Sequence, residues 1–257
     1  MFIDTHCHLY DEKIINNVED IVAECQKKGV SRIINVACEE KSAFIVKKQT
    51  EKYSSVYFAV GFHPSELKGY NSENKEKVFN LLSHEKCVAV GEIGLDYHWE
   101  SDNKEKQKQC FIEQIEIAFS NKLPINIHIR DAMGDAVEIL RQNRGNLAYS
   151  GVMHCYSGSV ETAKTLLDLG MYISFGGTLT FKNARQLLDV ARFVPRDRIL
   201  TETDSPYLSP EPKRGSVNTP QNIPIIAKRL ADIRNVDVEK IAENIFKNSK
   251  TLFNKLK

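Results

Sequence analysis

The sequence predicts an α/β fold: a single (β/α)8 TIM barrel, formed by one domain over residues 1–257. Eight short apolar segments alternate with amphipathic segments along the whole chain, and no linker or change in composition divides them. Eight strands, each followed by a helix, in about 250 residues are the pattern of this barrel. A doubly wound open sheet is the alternative fold, but no glycine-rich phosphate-binding segment follows the first strand.

The eight predicted strands are rich in Ile, Val, Phe and Tyr, as strands covered on both faces should be. They are residues 2–6, 32–37, 56–61, 87–92, 125–128, 151–154, 172–175 and 199–203. The C-terminal ends of such strands form one rim of the barrel, where functional residues gather.

Helices are predicted between and after these strands. In the first, residues 18–28, apolar side chains recur on one face and Gly29 ends the helix. Apolar residues also recur at helical spacing in the segment 104–121. The remaining predicted helices are residues 160–169, 184–193, 223–233 and 238–253.

The composition is that of an ordinary globular protein, with 42% hydrophobic residues, 27% charged residues and a formal net charge of +1. The chain therefore lacks an overall basic field that would attract nucleic acid, although a local patch can suffice. No apolar run approaches the ~18 residues of a membrane span, and the six cysteines include no C-x-x-C pair. We expect a cytoplasmic protein with reduced thiols and no membrane attachment.

The first strand ends in two histidines, His6 and His8. Because side chains alternate along a strand, Asp4, His6 and His8 are predicted to share one face. Cys7 should point the other way, into the helix layer. Two neighbouring neutral imidazoles suit a divalent metal, whereas a surface pair without ligands is the alternative interpretation.

Other strand ends carry more residues of the same kind. Most of the seven histidines fall at or near these ends, together with several carboxylates. The imidazoles of His6, His8, His128 and His154 are the candidate ligands, and Glu92, Glu202 and Asp204 are carboxylates that can point inward with them. One catalytic zinc needs only three protein ligands, so the surplus predicts two metals, with Glu92 bridging them. A buried hydrogen-bond network without metal is the alternative.

Six motifs, in this order, resemble those of the TatD family of metal-dependent hydrolases, within the amidohydrolase-like barrels. They are DTHCHL at 4–9, GFHP at 61–64, AVGEIGLDY at 89–97, IHIRDA at 127–132, HCYSG at 154–158 and ETDSPYLSP at 202–210. The resemblance covers the whole chain and implies a TIM barrel of the metallo-dependent hydrolase type. The segment PEPKRGSVNTP at 210–220 is similar to the bacterial housekeeping branch of the family.

The resemblance also implies how the ligands divide. His6, His8, Glu92 and Asp204 would bind the first metal, and Glu92, His128 and His154 the second. It implies deoxyribonuclease or phosphodiesterase activity, often as a 3′-to-5′ exonuclease. Other members of the family are linked to removal of D-amino acids from tRNA.

For the reaction, we expect a water between two divalent cations to lose its proton and attack the substrate. Asp204 can orient that water and accept its proton, which makes it a predicted catalytic residue. His63 is the second, either contacting the substrate or protonating the leaving group, with a purely structural role as the alternative. Glu202 can orient a ligand histidine from behind.

Four residues are predicted to bind the substrate. Arg130 follows His128 by two positions, and arginine matches phosphate oxygens well. Lys213 and Arg214 lie in the loop after the last strand, where such barrels often hold phosphate, although a solvated loop is the alternative. Tyr207 can stack on a base, as can other aromatic residues of the rim. The expected partner is a single-stranded DNA end or another phosphodiester or ester, bound by a chain compatible with a monomer.

Three other functions fit part of the pattern. The same metals can serve an amidase, a lactonase or a deacylase such as a D-aminoacyl-tRNA deacylase. A polymerase- and histidinol-phosphatase-like barrel also begins with H-x-H, but with a different ligand order and three metals. A binding module without activity would lack some of the ligands. Four imidazoles favour zinc over magnesium, with manganese and cobalt as further possibilities.

Overall fold

The computed structural model describes residues 1–99 and 101–257, and its strands form one sheet of eight parallel strands. Each strand pairs with the next along the chain, which gives the order of a barrel. The strands are β1 (Phe2–Cys7), β2 (Val30–Val36), β3 (Val56–Val60), β4 (Cys87–Asp96), β5 (Ile125–Arg130), β6 (Gly151–Met153), β7 (Tyr172–Phe175) and β8 (Ile199–Thr201). The predicted fold class is confirmed.

Every predicted strand is found, but some ends differ. β4 continues to Asp96 because it stays paired with β5, with Gly94 opposite His128 and Asp96 opposite Arg130. β8 ends at Thr201, two residues earlier than predicted. The chain beyond Thr201 is held by isolated backbone hydrogen bonds and by side chains rather than by a regular ladder.

The barrel closes between β8 and β1 through a mixed set of hydrogen bonds. The Thr5 hydroxyl donates to the Thr201 carbonyl at 3.0 Å. Further up, the Asp204 N–H donates to the His6 carbonyl at 2.9 Å, and the His8 N–H donates to the Ser205 carbonyl at 2.7 Å. The closure therefore brings the segment around residue 204 directly beside both histidines of the N-terminal motif.

Nine α-helices surround the sheet in the part of the chain that the structure describes. They are α1 (Val18–Lys27), α2 (Glu40–Lys52), α3 (Ser72–Phe79), α4 (Lys104–Ser120), α5 (Met133–Gln142), α6 (Val160–Asp168), α7 (Arg185–Phe193), α8 (Ile223–Arg234) and α9 (Val238–Leu252). Six match the predicted helices to within a residue or two. The other three, α2, α3 and α5, were expected from the barrel pattern without assigned bounds.

Apolar side chains fill one end of the barrel. Residues of β1–β4 and β6–β8, such as Ile3, Ile34 and Leu200, form a buried cluster with Leu252 and Phe253 of the C-terminal segment. Helix α9 packs against β1 and β8. The buried histidines and carboxylates are consequently confined to the other end, where the strands terminate.

No helix among the described residues is long and apolar enough to cross a bilayer.

A close approach between β4 and β5 depends on Gly94. Its φ is +141°, and a Cβ built there would lie 2.0 Å from the His128 carbonyl oxygen. Only glycine fits both the conformation and the space. This contact sets the distance between the strands that carry Glu92 and His128.

We expect Gly94→Ala to lower the free energy of unfolding by about 2–4 kcal/mol, because backbone must move to relieve the clash. Gly134→Ala in α5 is the matched control: nothing lies within 4 Å of its added Cβ, so its stability should stay equal or rise slightly. Urea unfolding of both variants measures the difference. Equal stability of the two would contradict this account of the β4–β5 contact.

Candidate metal centre

The six predicted ligands come together at the C-terminal rim. His6 is the penultimate residue of β1, Glu92 and His128 lie in β4 and β5, and His8, His154 and Asp204 follow β1, β6 and β8. All except the fully buried His6 line a cavity of about 570 Å³. Residues far apart in sequence thus meet within one small volume.

Four ligand atoms form a first set: His6 Nε2, His8 Nε2, Glu92 Oε2 and Asp204 Oδ1. The two imidazole nitrogens are 3.2 Å apart. Glu92 Oε2 lies 3.4 and 3.6 Å from them, and Asp204 Oδ1 lies 3.8 and 3.4 Å from them. Tetrahedral ligands with metal bonds of about 2.0–2.1 Å are about 3.3–3.4 Å apart. The five distances are therefore close to those around one transition-metal ion, and His6, His8 and Glu92 group together as candidate ligands.

Three atoms form a second set: Glu92 Oε1, His128 Nδ1 and His154 Nε2. Glu92 Oε1 lies 2.9 Å from His128 Nδ1 and 3.0 Å from His154 Nε2, and the two nitrogens are 3.1 Å apart. Neighbouring ligands at right angles around an ion with bonds of about 2.1 Å are about 3.0 Å apart. The two oxygens of Glu92 therefore belong to different sets.

The outer nitrogen of each of these four imidazoles faces an oxygen acceptor. The pairs are His6 Nδ1 with Asn126 Oδ1 at 3.0 Å, His8 Nδ1 with the Val36 carbonyl at 2.8 Å, His128 Nε2 with Asp96 Oδ2 at 3.1 Å, and His154 Nδ1 with Glu202 Oε1 at 3.2 Å. Carbonyl and carboxylate oxygens only accept, so the outer nitrogen of each ring donates its proton. The inner nitrogen then presents a lone pair, as metal coordination requires.

His63 is oriented in the opposite sense. The Ser65 N–H donates to His63 Nδ1 at 3.1 Å, so Nδ1 carries the lone pair and Nε2 carries the proton. Nε2 lies 3.7 Å from Glu92 Oε1. Burial lowers the pKa of the imidazole to about 3, which keeps the ring neutral near neutral pH. His63 is close enough to group with Glu92 and His128, but its inner nitrogen is a hydrogen-bond donor.

The carboxylates of the site are held in their charged form. Burial alone would raise the pKa of Glu92, but the facing imidazoles of His154, His63 and His6 hold it well below its usual range. Burial also opposes ionisation of Asp204, and the imidazoles outweigh it there too, so its pKa is lowered. Two anions among converging lone pairs form a donor set that suits divalent cations.

Strict alternation predicted that Asp4 shares a face with His6 and His8, but the structure differs. Its carboxylate accepts hydrogen bonds from the Thr203 N–H and hydroxyl and from the His6 N–H. The register between β1 and β2 shifts between Asp4 and Cys7, and this irregularity breaks the alternation. Cys7 lies in an apolar cluster with residues of α1 and α8, on the helix side of β1 as predicted.

The predicted substrate-binding residues are divided between the cavity and its surroundings. Arg130 and Tyr207 line the cavity, and the Tyr207 hydroxyl donates to Asp11 at 2.7 Å. Lys213 is directed elsewhere, because its ammonium donates to Asn222 Oδ1 at 2.9 Å, just before α8. Arg214 lies over the ring of Phe181, 4.2 Å from its centroid.

Sequence reasoning left several members of the site without a role. Asp96 and Asn126 orient ligand rings, and the Cys38 thiol donates to Glu92 Oε2 at 3.5 Å. Asn126 precedes His128 by two positions in β5, so strand alternation could have placed it on the same face. The Val36 carbonyl acts through the backbone, where side-chain identity carries no signal.

The chain is similar to known metal-dependent hydrolases in sequence and in structure. The model of the family of TatD-related DNases matches residues 3–254. An uncharacterized metal-dependent hydrolase of Bacillus subtilis, YabD, is 39% identical over 98% of this chain and 99% of its own length. A second, YcfH of Escherichia coli, is 38% identical over 98% of this chain and 95% of its own. The crystal structure of the Escherichia coli TatD homologue YjjV has a TM-score of 0.93 and 32% identity, with 98% of each chain covered.

We expect His6→Ala to remove at least half of the bound metal, because it deletes one ligand of the first set and the stacking partner of His154. Cys7→Ser should keep the wild-type metal content, since the thiol lies on the helix side of β1. Metal is counted by mass spectrometry after dialysis, and circular dichroism checks that both variants fold. Equal metal loss in the two would overturn the assignment.

Proposed function

The chain belongs to the TatD family of metal-dependent hydrolases, and on that basis we propose that it is a two-metal 3′-to-5′ exonuclease acting on single-stranded DNA ends. The observation that carries the proposal is the carboxylate of Glu92, whose two oxygens lie in two different ligand sets. One anion shared in this way can hold two cations at the short separation used in phosphoryl transfer.

The first ion would be held by His6, His8, Glu92 and Asp204, and the second by Glu92, His128 and His154. Bound divalent cations would supply Lewis-acid charge, which polarises a phosphoryl oxygen and makes water more acidic. Four imidazole nitrogens favour zinc or another transition metal over magnesium.

Asp204 is proposed to orient the attacking water and to accept its proton. The residue lines the cavity, so it can reach a water there as well as the first ligand set. Its lowered pKa keeps the carboxylate unprotonated near neutral pH, the state that a proton acceptor needs.

His63 is proposed to contact the substrate rather than to protonate the leaving group. A neutral ring with the proton on Nε2 has no readily released proton, but it can donate a hydrogen bond. Such a bond, aimed into the cavity, stabilises charge that develops on a phosphoryl or leaving oxygen. Of the two roles predicted from the sequence, the geometry supports the first.

Arg130 is proposed to bind the phosphate. It lies at the cavity wall, and its guanidinium is 5.3 Å from the ring centroid of Trp99, which lines the same cavity. A cation beside an exposed aromatic ring suits a nucleotide, whose phosphate pairs with the guanidinium and whose base stacks.

We expect the protein to shorten 5′-labelled single-stranded DNA one nucleotide at a time. Chelation of the metals should abolish the ladder, and Asp204→Asn should slow it by at least about 100-fold, because the proton acceptor is lost. Asp168→Asn is a control at an exposed carboxylate paired with Lys164, and it should behave like wild type. A metal-loaded protein that leaves DNA intact but hydrolyses aminoacyl esters would redirect the proposal to a deacylase.

We expect Arg130→Ala to lower kcat/KM on DNA by about 10–100-fold, since charge-assisted hydrogen bonds to phosphate are lost. Hydrolysis of the uncharged ester p-nitrophenyl acetate should change less than twofold. Arg141→Ala removes an exposed arginine in the last turn of α5 and serves as the matched control. An equal loss on both substrates would argue against a phosphate-binding role for Arg130.

A further inference from the structure

A second cavity of about 500 Å³ meets the first one at the ligand sets. The residues that line both cavities are His128, Arg130, His154, Asp204 and Leu208. Trp99 lies in the wall of the first cavity alone, whereas residues that follow β7 form the far wall of the second. The candidate metal centre therefore lies between two separate spaces.

The far wall of the second cavity has a distinctive chemistry. Phe181 contributes a half-buried ring, Asn183 and Gln186 contribute exposed amides, and Leu187 contributes a buried apolar side chain. Each amide offers both donors and an acceptor. Among the described lining residues, formal charges are confined to the part near Arg130 and Asp204. A flat heterocycle with hydrogen-bonding edges fits this wall better than a phosphate or a hydrocarbon does.

Two arginines lie near this wall and could bind the phosphates of such a ligand. Arg130 is at the junction of the two cavities. Arg214 covers the ring of Phe181 and remains half exposed, with Glu211 as a distant partner at 4.0 Å. A strand that leaves the junction beside Arg130 and passes Phe181 would then approach Arg214, which lies outside the lining of the second cavity.

Leu208 is the one apolar residue, among those described, that lines both spaces. Its side chain is 37% exposed although it is apolar. Its backbone is tightly fixed, because a Cβ on Gly177 would lie 1.9 Å from the Leu208 carbonyl oxygen. Apolar side chains in such positions are used by nucleic-acid-binding proteins to part adjacent bases.

We propose that the second cavity binds the nucleoside on one side of the scissile phosphodiester, while the nucleoside on the other side lies beside Trp99. The inference rests on the proposed phosphodiesterase function and names its substrate more closely: two linked nucleosides, parted by Leu208. A phosphodiester joins two nucleosides. If its phosphorus atom lies at the ligand sets, one nucleoside would lie in each cavity. A dinucleotide is then the smallest substrate that makes all of these contacts.

The test compares two phosphodiesters, the dinucleotide thymidylyl-thymidine and bis(p-nitrophenyl) phosphate. The double variant Asn183→Ala, Gln186→Ala should raise KM for the dinucleotide about tenfold or more, since hydrogen bonds to the base are lost. It should change kcat/KM for bis(p-nitrophenyl) phosphate much less than that for the dinucleotide, because a nitro group only accepts hydrogen bonds and lacks the paired donor and acceptor of a base edge. Gln26→Ala removes an exposed amide in the last turn of α1 and should change neither.

Binding provides a second readout, independent of turnover. Trp99 is the chain's one tryptophan, so its fluorescence reports on the first cavity. With the slowly hydrolysed phosphorothioate analogue of the dinucleotide as ligand, the metal-loaded protein should show quenching of this fluorescence, with a Kd about tenfold weaker in the double variant than in the Gln26→Ala control.

The outcomes separate the two proposals. Cleavage of the dinucleotide with unchanged KM and Kd in the double variant would overturn the role of the second cavity and leave the phosphodiesterase function standing. Hydrolysis of bis(p-nitrophenyl) phosphate by wild type, without cleavage of any dinucleotide or oligonucleotide, would overturn both the nucleic-acid substrate and the cavity assignment.

Discussion

The negative charge of a buried carboxylate must be compensated, and this requirement at Glu92 determines how the site is arranged. The side chain is 3% exposed and lies within 3.7 Å of five imidazole rings. An ionised carboxylate in such a place is costly unless opposite charges or hydrogen bonds surround it. Charge on the nearby imidazoles favours the ionised form of Glu92 and holds its pKa low. When four of the rings instead present lone pairs, cations bound between the rings and the carboxylate would provide that compensation.

The oxygen acceptors behind the rings make this arrangement specific. Asn126, Asp96, Glu202 and the Val36 carbonyl each take the proton of one outer nitrogen. They come from different strands, so the barrel itself sets which nitrogen faces inward. His63 differs because the partner of its Nδ1 is a hydrogen-bond donor, the Ser65 N–H. This bond reverses the tautomer, so the fifth imidazole becomes a hydrogen-bond donor to the cavity. One backbone group thus distinguishes an imidazole that presents a proton to the cavity from those that present a lone pair.

The fold and the clustering of the predicted ligands were accessible from sequence because both depend on local patterns. Eight apolar segments, most of them with histidines or carboxylates at their ends, are visible without any coordinates. Helix α3 was not assigned, because Val78 is the one fully buried side chain among its eight residues and no apolar stripe forms. The position of the Asp4 side chain could not be predicted, because it depends on a register shift between β1 and β2. The position of Lys213 depends on how the loop after β8 folds back onto Asn222. The second cavity, likewise, is assembled by loops that follow different strands, and such long-range arrangements leave little trace in a linear pattern.

The closure of the barrel between its first and last strands has a consequence for the newly made chain. The first ligand set joins residues 6 and 8 to residue 204, whereas the second is contained within residues 92–154. During synthesis His6 and His8 emerge from the ribosome early, and almost the whole barrel must be made before Asp204 can reach them. Contacts of such sequence separation form late in folding, since a long loop must close first. Binding of a metal to the first ligand set would therefore have to wait until the segment around Asp204 has been made, and a truncated chain that has lost β8 and the segment after it also loses this set.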